Sequence, residues 1–147
     1  ITNLFDNKRI IGIKGYDSPF VFVWDEDVAN CMVKAIEHDS NGIFNVAGSG
    51  AIRNKDIAKI LQKGYVNIPS AILTGLLWIG KKLKLTQYGP DQLLFLKYRP
   101  VLNNQKLQDS FPYSLQKNSL EVFHYYLDHK KQAHDKEVEL QIIYPNA

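Results

Sequence analysis

Hydrophobic and polar residues follow two periods along this chain, and each period predicts one kind of secondary structure. Short apolar runs predict strands at residues 10–14, 20–24, 43–47 and 66–68. Apolar residues three and four apart predict helices over about 26–38, 54–63, 70–84, 103–109 and 119–131, with a further helix opening at 88–91. The tail alternates Val138, Leu140 and Ile142, which predicts an edge strand. The strands are too few for a doubly wound sheet, so we expect an α/β fold with a small, incomplete sheet and several helices.

Polar residues predict how the first of these helices begins and ends. Asp25, Glu26 and Asp27 stand at its start, where free backbone N–H groups and the helix dipole favour acidic side chains. Helix capping explains these carboxylates more simply than a metal or acid–base cluster. At the other end, Gly42 is suited to a left-handed terminating residue. Cys31 lies among the residues of the apolar face, which predicts buried packing; that face comprises Val28, Met32, Ala35 and Ile36.

The composition is that of a folded protein with one hydrophobic core. The chain has 147 residues, of which 45% are hydrophobic and 22% are charged. We expect one domain over residues 1–132 and a tail over 133–147. The net charge is only +3 and most lysines are scattered, so we expect no nucleic-acid partner. The single cysteine excludes an internal disulfide and favours a reducing, cytoplasmic location.

The longest apolar run covers residues 71–80, about half of the roughly 20 residues that a membrane-spanning helix needs. With the lysines that follow, the segment 73–85 fits either a helix on a membrane surface or a solvated helix end above a packed face. We expect the packed face, and therefore no membrane partner. The four histidines show no metal-binding spacing, so no metal site is expected.

Two short motifs each have a catalytic and a structural interpretation. Gly48-Ser49-Gly50 follows a predicted strand, as a dinucleotide loop does, but the third glycine would fall at Arg53. Tyr126 and Lys130 have the Tyr-x-x-x-Lys spacing, in which a lysine activates a phenol beside a nicotinamide. Residues at this spacing also simply share one face of a helix. We therefore expect a turn at the first motif and no catalytic role for the second.

Four longer blocks stand in a recognisable order. They are F-V-W-D-E-D-V-A at 22–29, G-I-F-N-V-A-G-S-G at 42–50 with R-N-K-D-I-A-K-I-L at 53–61, an apolar helix pair at 69–85, and Y-R-P-V-L-N at 98–103 running on to Phe111 and Pro112. Together they resemble the C-terminal half of the extended short-chain dehydrogenases/reductases, the NAD-dependent epimerase/dehydratase family. The resemblance covers about residues 10–130.

This resemblance implies that the chain is the C-terminal, substrate-side lobe of a Rossmann-type enzyme. An N-terminal Rossmann domain, missing from the chain, would bind NAD or NADP and supply the catalytic Tyr and Lys. No catalytic residue and no bound cofactor are then expected in this chain itself. The matching blocks imply substrate-side residues at Phe20, Trp24, Asn45 and Arg99. The full-length protein would be an NAD(P)-dependent epimerase, dehydratase or reductase whose small-molecule substrate is a sugar or other secondary alcohol.

Two positions depart from the nucleotide-sugar members of this family. Those members carry Arg where this chain has Phe20, and Asp where it has Asn103. Both departures weaken the case for a UDP- or dTDP-sugar and leave a non-nucleotide substrate open. A second hypothesis is a non-catalytic dinucleotide-sensing or scaffold protein that uses the same lobe to bind a partner. Without a Rossmann domain, apolar residues over 20–36 lose a partner surface, so we expect a homo-oligomer formed through that face or through the strand at 138–143.

Overall fold

The computed structural model describes residues 7–85, 89 and 92–143. The chain divides into two compact units, each built from two segments. The first unit comprises Ile1–Phe20 and Ala51–Val101, and the second comprises Val21–Gly50 and Leu102–Ala147. Over the described residues there are six helices and one two-stranded parallel sheet, which confirms the expected mixed α/β class and the small size of the sheet. None of these helices combines the length and the apolar character that crossing a membrane requires.

Most elements lie close to their predicted positions. The strands are β1 (Arg9–Ile13) and β2 (Gly64–Ile68). The helices are α1 (Asp25–Glu37), α2 (Asn54–Ile60), α3 (Ser70–Lys82), α4 (Gln92–Lys97), α5 (Gln105–Ser110) and α6 (Ser119–Ile143). The predicted opening of α4 falls at 88–91, where only residue 89 is described.

The first unit is organised around the parallel sheet. β1 and β2 pair over their full length, with Arg9 opposite Gly64 and Ile13 opposite Ile68, and α2 packs against both strands. A two-stranded sheet is marginal by itself in water, so its stability depends on the apolar cluster around it. Each buried side chain of this kind contributes about 1.5–3 kcal/mol. The buried apolar residues of this unit are Ile10, Ile13, Phe20, Ile52, Ile57, Ala58 and Leu93.

The second unit has a helical core. Cys31 of α1 and Phe123 of α6 are buried, and the Phe123 ring stacks on Phe22 with ring centroids 5.5 Å apart. The predicted burial of Cys31 is therefore confirmed. Burial raises the pKa of its thiol, and the negative charge of Asp27 adds to the effect, so the thiol is a packing group.

The apolar face of α1 is open to solvent at two of its four residues, as expected for the face over 20–36. Met32 is 64% exposed and Ile36 is 82% exposed. The buried residues of this helix are instead Asp27 and Cys31, one turn apart. Phe20, also expected on the open face, is only 4% exposed. The carboxylate of Asp27 is buried because hydrogen-bond donors surround it there, namely the Tyr113 hydroxyl and the N–H groups of Gln116 and Lys117.

The second predicted strand is wrong, because only its first residue, Phe20, forms a bridge. Phe20 and Ile52 exchange two backbone hydrogen bonds, both of 2.8 Å. Two residues later, the Phe22 N–H donates to Oγ of Ser119 at 3.2 Å, and the Phe22 carbonyl accepts from the Gly48 N–H at 3.0 Å. A serine and a loop therefore satisfy the groups that a longer ladder would need.

The predicted strand at 43–47 is wrong for a related reason. Nζ of Lys106 donates to the carbonyl of Ile43 at 3.0 Å, and Nδ2 of Asn104 donates to the carbonyl of Ala47 at 2.6 Å. Side chains thus occupy backbone acceptors that a neighbouring strand would otherwise use. The segment is loop, fixed by long-range side-chain contacts.

The predicted edge strand at 138–143 is also wrong, because α6 continues to Ile143. Val138 and Ile142 alternate with polar residues, but they are also four apart, as on a helix. Lys136 and Glu139, among their neighbours, favour helix over strand. The local preference of the polar residues therefore outweighs the alternation of the apolar ones.

A capping box begins α6. Oδ1 of Asn118 accepts hydrogen bonds from the N–H groups of Leu120 and Glu121, both at 3.0 Å. Oε2 of Glu121 accepts in return from the Asn118 N–H at 2.8 Å. The two side chains satisfy N–H groups that a helix start leaves unpaired, which fixes the position where α6 begins.

Three helices end in the same Schellman arrangement with a non-glycine residue in the left-handed conformation. These residues are Asp39 after α1, Gln62 after α2 and Lys84 after α3, with φ of 46°, 54° and 55°. In each case the next N–H bonds to the carbonyl five residues earlier, at 2.9 Å. The predicted terminator of α1, Gly42, is therefore wrong; its φ of 129° belongs to the loop beyond the cap.

Replacing Gln62 by Gly should stabilise the protein. A residue with a side chain pays about 1–2 kcal/mol for the left-handed conformation, and glycine removes this cost from the folded state. Glycine also makes the unfolded chain more flexible, which offsets about 0.4–1 kcal/mol of the stabilisation. We expect Gln62→Gly to raise the free energy of unfolding by about 0.5–1 kcal/mol in urea denaturation. The control Lys59→Gly, inside α2, should lower it by about 1 kcal/mol. Destabilisation by Gln62→Gly would contradict the left-handed assignment.

Candidate functional site

Phe20 and Arg99, two of the four candidates, lie together in the first unit. Phe20 is fixed by its backbone bridge to Ile52. Arg99 follows α4, and its guanidinium carbon lies 3.7 Å from the centroid of the Phe20 ring. At this distance the electron-rich face of the ring attracts the cation. The loop before Phe20 is tied to the end of α4, because the Ser18 hydroxyl donates to the carbonyl of Leu96.

The Arg99 guanidinium is half-buried and incompletely satisfied. Its Nη1 atom is buried and has no hydrogen-bond partner within the described part of the chain. Burial lowers the pKa of Arg99, but the ordinary value for arginine is so high that the charge is retained. Arg53 of the same unit differs, since its Nε lies 2.7 Å from Oδ2 of Asp17. The pair of Phe20 and Arg99 therefore combines a permanent cation with one buried donor that has no acceptor among the described residues.

Trp24, the third candidate, lies in the second unit at the start of α1. Its ring is buried, and its Nε1 has no hydrogen-bond partner among the residues described. Nζ of Lys117 lies 3.1 Å from the centroid of the ring, and Tyr125 meets the ring edge-on with centroids 5.9 Å apart. An ammonium group and an unpaired indole N–H thus meet at one aromatic cluster, a combination that the sequence analysis missed because Lys117 is distant in sequence.

Asp27 holds the segment that carries Lys117. Its carboxylate is completely buried and accepts three hydrogen bonds. The Tyr113 hydroxyl donates to Oδ1 at 2.7 Å, the Gln116 N–H to Oδ1 at 3.0 Å and the Lys117 N–H to Oδ2 at 3.3 Å. The predicted capping role is therefore wrong: the N-cap residue is Trp24 and no side chain caps the helix, so the exposed Asp25 and Glu26 are only acidic residues in its first turn. The sequence did carry one sign of the burial of Asp27, namely the helical spacing of Asp27 and Cys31 on one face.

The Tyr113 hydroxyl extends this network by one residue. It accepts a hydrogen bond from Nδ2 of Asn30 at 3.2 Å while it donates to Asp27. Burial raises the pKa of Tyr113, and the hydrogen bond to the Asp27 carboxylate raises it further. The phenol therefore keeps its proton and acts as a donor that positions the loop.

Asn45, the fourth candidate, makes a hydrogen bond within the second unit. Its Nδ2 donates to the backbone carbonyl of Asn103 at 2.9 Å. Asn103 in turn accepts the Gln105 N–H on its Oδ1 at 2.8 Å, next to the start of α5. Within the first unit, the structure brings Phe20 and Arg99 into contact, and within the second unit Asn45 contacts the loop before α5.

The Gly48-Ser49-Gly50 loop is packed against the protein itself. A Cβ atom at Gly48 would lie 2.2 Å from the Phe22 carbonyl oxygen and 3.1 Å from Ser119. The buried Ser119 hydroxyl donates towards the Gly48 carbonyl at 3.2 Å, and the Ser119 N–H donates to the Ser49 carbonyl at 2.9 Å. The loop does not fit a dinucleotide pyrophosphate, because the glycine admits the chain's own backbone and a helix start.

The Tyr-x-x-x-Lys motif and the possible metal ligands remain to be placed in the structure. Tyr126 and Lys130 lie one turn apart in α6, where their spacing follows from the helix. Within the described residues, no group of three or more His, Cys, Asp and Glu side chains could hold a metal ion. The functional groups that the fold assembles are therefore the Phe20–Arg99 pair and the aromatic cluster around Trp24.

Comparison of the chain with family models, with curated proteins and with solved structures found no match. The chemistry of the site therefore has to be inferred from the side chains described above.

Gly48→Ala should destabilise the protein through a direct clash. The added methyl would meet a backbone oxygen, which cannot move aside as a side chain can, so we expect a loss of about 1–3 kcal/mol in the free energy of unfolding. Gly75→Ala is the matched control, because a Cβ there meets open space within α3. Gly75→Ala should raise the free energy of unfolding by about 0.5–1 kcal/mol. Equal stability of both variants in urea denaturation would contradict the packing role of Gly48.

Proposed function

We propose that this chain is the substrate-binding portion of an NAD(P)-dependent epimerase, dehydratase or reductase that acts on a sugar or other secondary alcohol. The observation that carries the proposal is the Arg99 guanidinium, whose carbon lies 3.7 Å from the centroid of the Phe20 ring and whose buried Nη1 has no partner in the described part of the chain. The chain is not catalytic alone. In the resembling family, catalysis uses a Rossmann domain, and here too that domain would bind NAD or NADP, which takes up or returns a hydride.

The unpaired donor of Arg99 supports an anionic ligand. Leaving a buried donor without an acceptor costs about 1–3 kcal/mol, and more for a charged group. Such a cost is tolerated where a ligand supplies the missing acceptor. A guanidinium matches two oxygens of a phosphate or carboxylate at once, which makes arginine the common residue for these groups. We therefore propose a substrate that carries a phosphate or carboxylate beside its secondary alcohol.

The position of Arg99 also bears on the departure at Phe20. Nucleotide-sugar members of the resembling family carry an arginine at that position. Here the guanidinium of Arg99 lies against the side chain that replaces it. An arginine from another part of the chain thus supplies a cation at the same place, which supports an anionic substrate group despite the substitution. Whether that group belongs to a nucleotide is an outcome of the experiment below.

The alternative function is a non-catalytic dinucleotide-sensing or scaffold protein that binds a partner through the same residues. In the sequence, the substitution at Phe20 and the edge strand predicted at 138–143 favour this alternative slightly. The second feature is wrong, since this segment is part of α6. The first is offset by the placement of Arg99. We therefore keep the enzyme portion as the proposal.

Ligand binding to the Arg99 variant tests the proposal. Calorimetric titrations would use pyrophosphate, glucose 1-phosphate, UDP-glucose and, as the neutral probe, glucose. We expect the phosphate-bearing probes to bind more tightly than glucose, and Arg99→Gln to weaken them by about 10–100-fold through loss of a charge-assisted hydrogen bond. Arg53→Gln is the control, because Arg53 forms an exposed ion pair with Asp17. It should change the affinity by less than about twofold.

Two outcomes would contradict the proposal. One is equal binding of the phosphate-bearing probes to the wild type and Arg99→Gln; the other is no preference for these probes over glucose. NADH should bind no more tightly than about millimolar, because no helix N-terminus of this chain follows a complete Gly-rich fingerprint. Micromolar binding of NADH would favour the dinucleotide-sensing alternative instead.

A further inference from the structure

Helix α3 (Ser70–Lys82) presents apolar side chains to solvent. None of its residues is fully buried. We expected this segment to cover a packed face, but the residues on its inner side, among them Leu73 and Leu77, are only half-buried. Its outer side is therefore the apolar surface that requires an explanation.

Four exposed side chains form one stripe along α3 and its cap. Ile72 is 56% exposed, Leu76 57%, Ile79 49% and Leu83 61%. They are spaced at i, i+4, i+7 and i+11, so they lie above one another on a single helical face. Trp78, also 56% exposed, lies on another side of the helix, about 100° from Ile79 at the helical spacing of roughly 3.6 residues per turn. A surface helix usually shows the opposite pattern, with its apolar stripe turned towards the core.

The charges around the stripe have one sign. No aspartate or glutamate occurs between Asp56 and Asp91, while Lys81, Lys82 and Lys84 stand together at the C-terminal end of α3. Nζ of Lys82 lies 5.0 Å from the centroid of the Trp78 ring. Lysines and an exposed tryptophan on a helix that also carries an apolar stripe are typical of helices that lie in the interface of a membrane.

We propose that α3 lies on an anionic phospholipid surface, with the stripe of Ile72, Leu76, Ile79 and Leu83 inserted among the acyl chains and the three lysines at the headgroups. The stripe supplies apolar contact, and the lysines add attraction to anionic lipid. This proposal departs from the expectation of no membrane partner and is independent of the proposed substrate. A helix of this kind lies along the surface and does not cross it.

A second copy of the chain fits this surface less well. Pairing two stripes would bury the apolar residues, but each copy brings lysines and no acidic residue from this segment. The charge at the C-terminal end of α3 would then remain uncompensated, whereas anionic headgroups compensate it directly.

Co-sedimentation of the full chain with vesicles tests the proposal. The vesicles would be pure phosphatidylcholine or a mixture of phosphatidylcholine and phosphatidylserine. We expect binding to the mixed vesicles, reversed by salt, and much weaker binding to phosphatidylcholine alone. Lys81→Gln/Lys82→Gln/Lys84→Gln should weaken binding to the mixed vesicles by about a hundred-fold. Leu76→Ser/Ile79→Ser should weaken it by at least about tenfold.

Matched control variants distinguish binding through the proposed face of α3 from non-specific binding of lysines or apolar residues to the vesicles. Lys8→Gln/Lys14→Gln/Lys55→Gln removes three other exposed lysines, and Ile36→Ser removes an apolar side chain that is 82% exposed on α1. Both should bind the mixed vesicles like the wild type, and thermal unfolding should show that every variant is folded. Absence of wild-type binding would overturn the proposal. So would control variants that lose as much affinity as the α3 variants, or sedimentation as a dimer that Leu76→Ser/Ile79→Ser converts to monomer without any lipid binding.

Discussion

The buried carboxylate of Asp27 is the interaction on which the second unit depends. Removing an ionised carboxylate from water costs several kcal/mol unless hydrogen bonds replace those to water. Here the Tyr113 hydroxyl and the N–H groups of Gln116 and Lys117 replace them, at 2.7, 3.0 and 3.3 Å. The loop that carries these donors is thereby fixed to the first turn of α1. Because Lys117 is one of them, the same contact brings its ammonium group to the Trp24 ring.

Side chains perform a similar task elsewhere in this protein. Ser119, Asn104 and Lys106 bind backbone groups of loops that have no strand beside them. The described sheet has two strands, and much of the extended chain outside it is held by such contacts. A fold of this kind positions a site through individual polar contacts. Within the described residues, three buried side-chain atoms have no hydrogen-bond partner, on Arg99, Trp24 and Asn54, although nearly all buried polar groups in folded proteins are satisfied.

Periodic stretches of the sequence were sufficient to predict most helices and both observed strands. The helices α1 to α3 have apolar spacing and end signals within one short segment, so their prediction needs no distant partner. The predicted strands at 20–24 and 43–47 failed because their backbone partners are side chains far away in sequence. The strand predicted at 138–143 was wrong because alternating apolar residues do not distinguish a strand from a helix when the residues between them favour helix.

The site was predictable only in part. Phe20 and Arg99 are named by the resemblance to the epimerase/dehydratase family, yet nothing local indicates that the two side chains stack. Asp27 resembles a capping residue in sequence, and its partner Tyr113 lies 86 residues away. No sequence motif marks Lys117 as a partner of the Trp24 ring. In each case a long-range polar contact decides the role of the residue, and such contacts have no local signature.

Hydrogen exchange at two backbone amides tests the central role of Asp27 most directly. In Asp27→Ala, the Gln116 and Lys117 N–H groups lose their acceptor, so their exchange in the native state should become much faster. The free energy of unfolding should fall by about 2–4 kcal/mol. Asp25→Ala, which changes an exposed carboxylate on the same turn, should leave both amides protected. Unchanged protection of Gln116 and Lys117 in Asp27→Ala would contradict the account, because the loop and its lysine would then be held by something else.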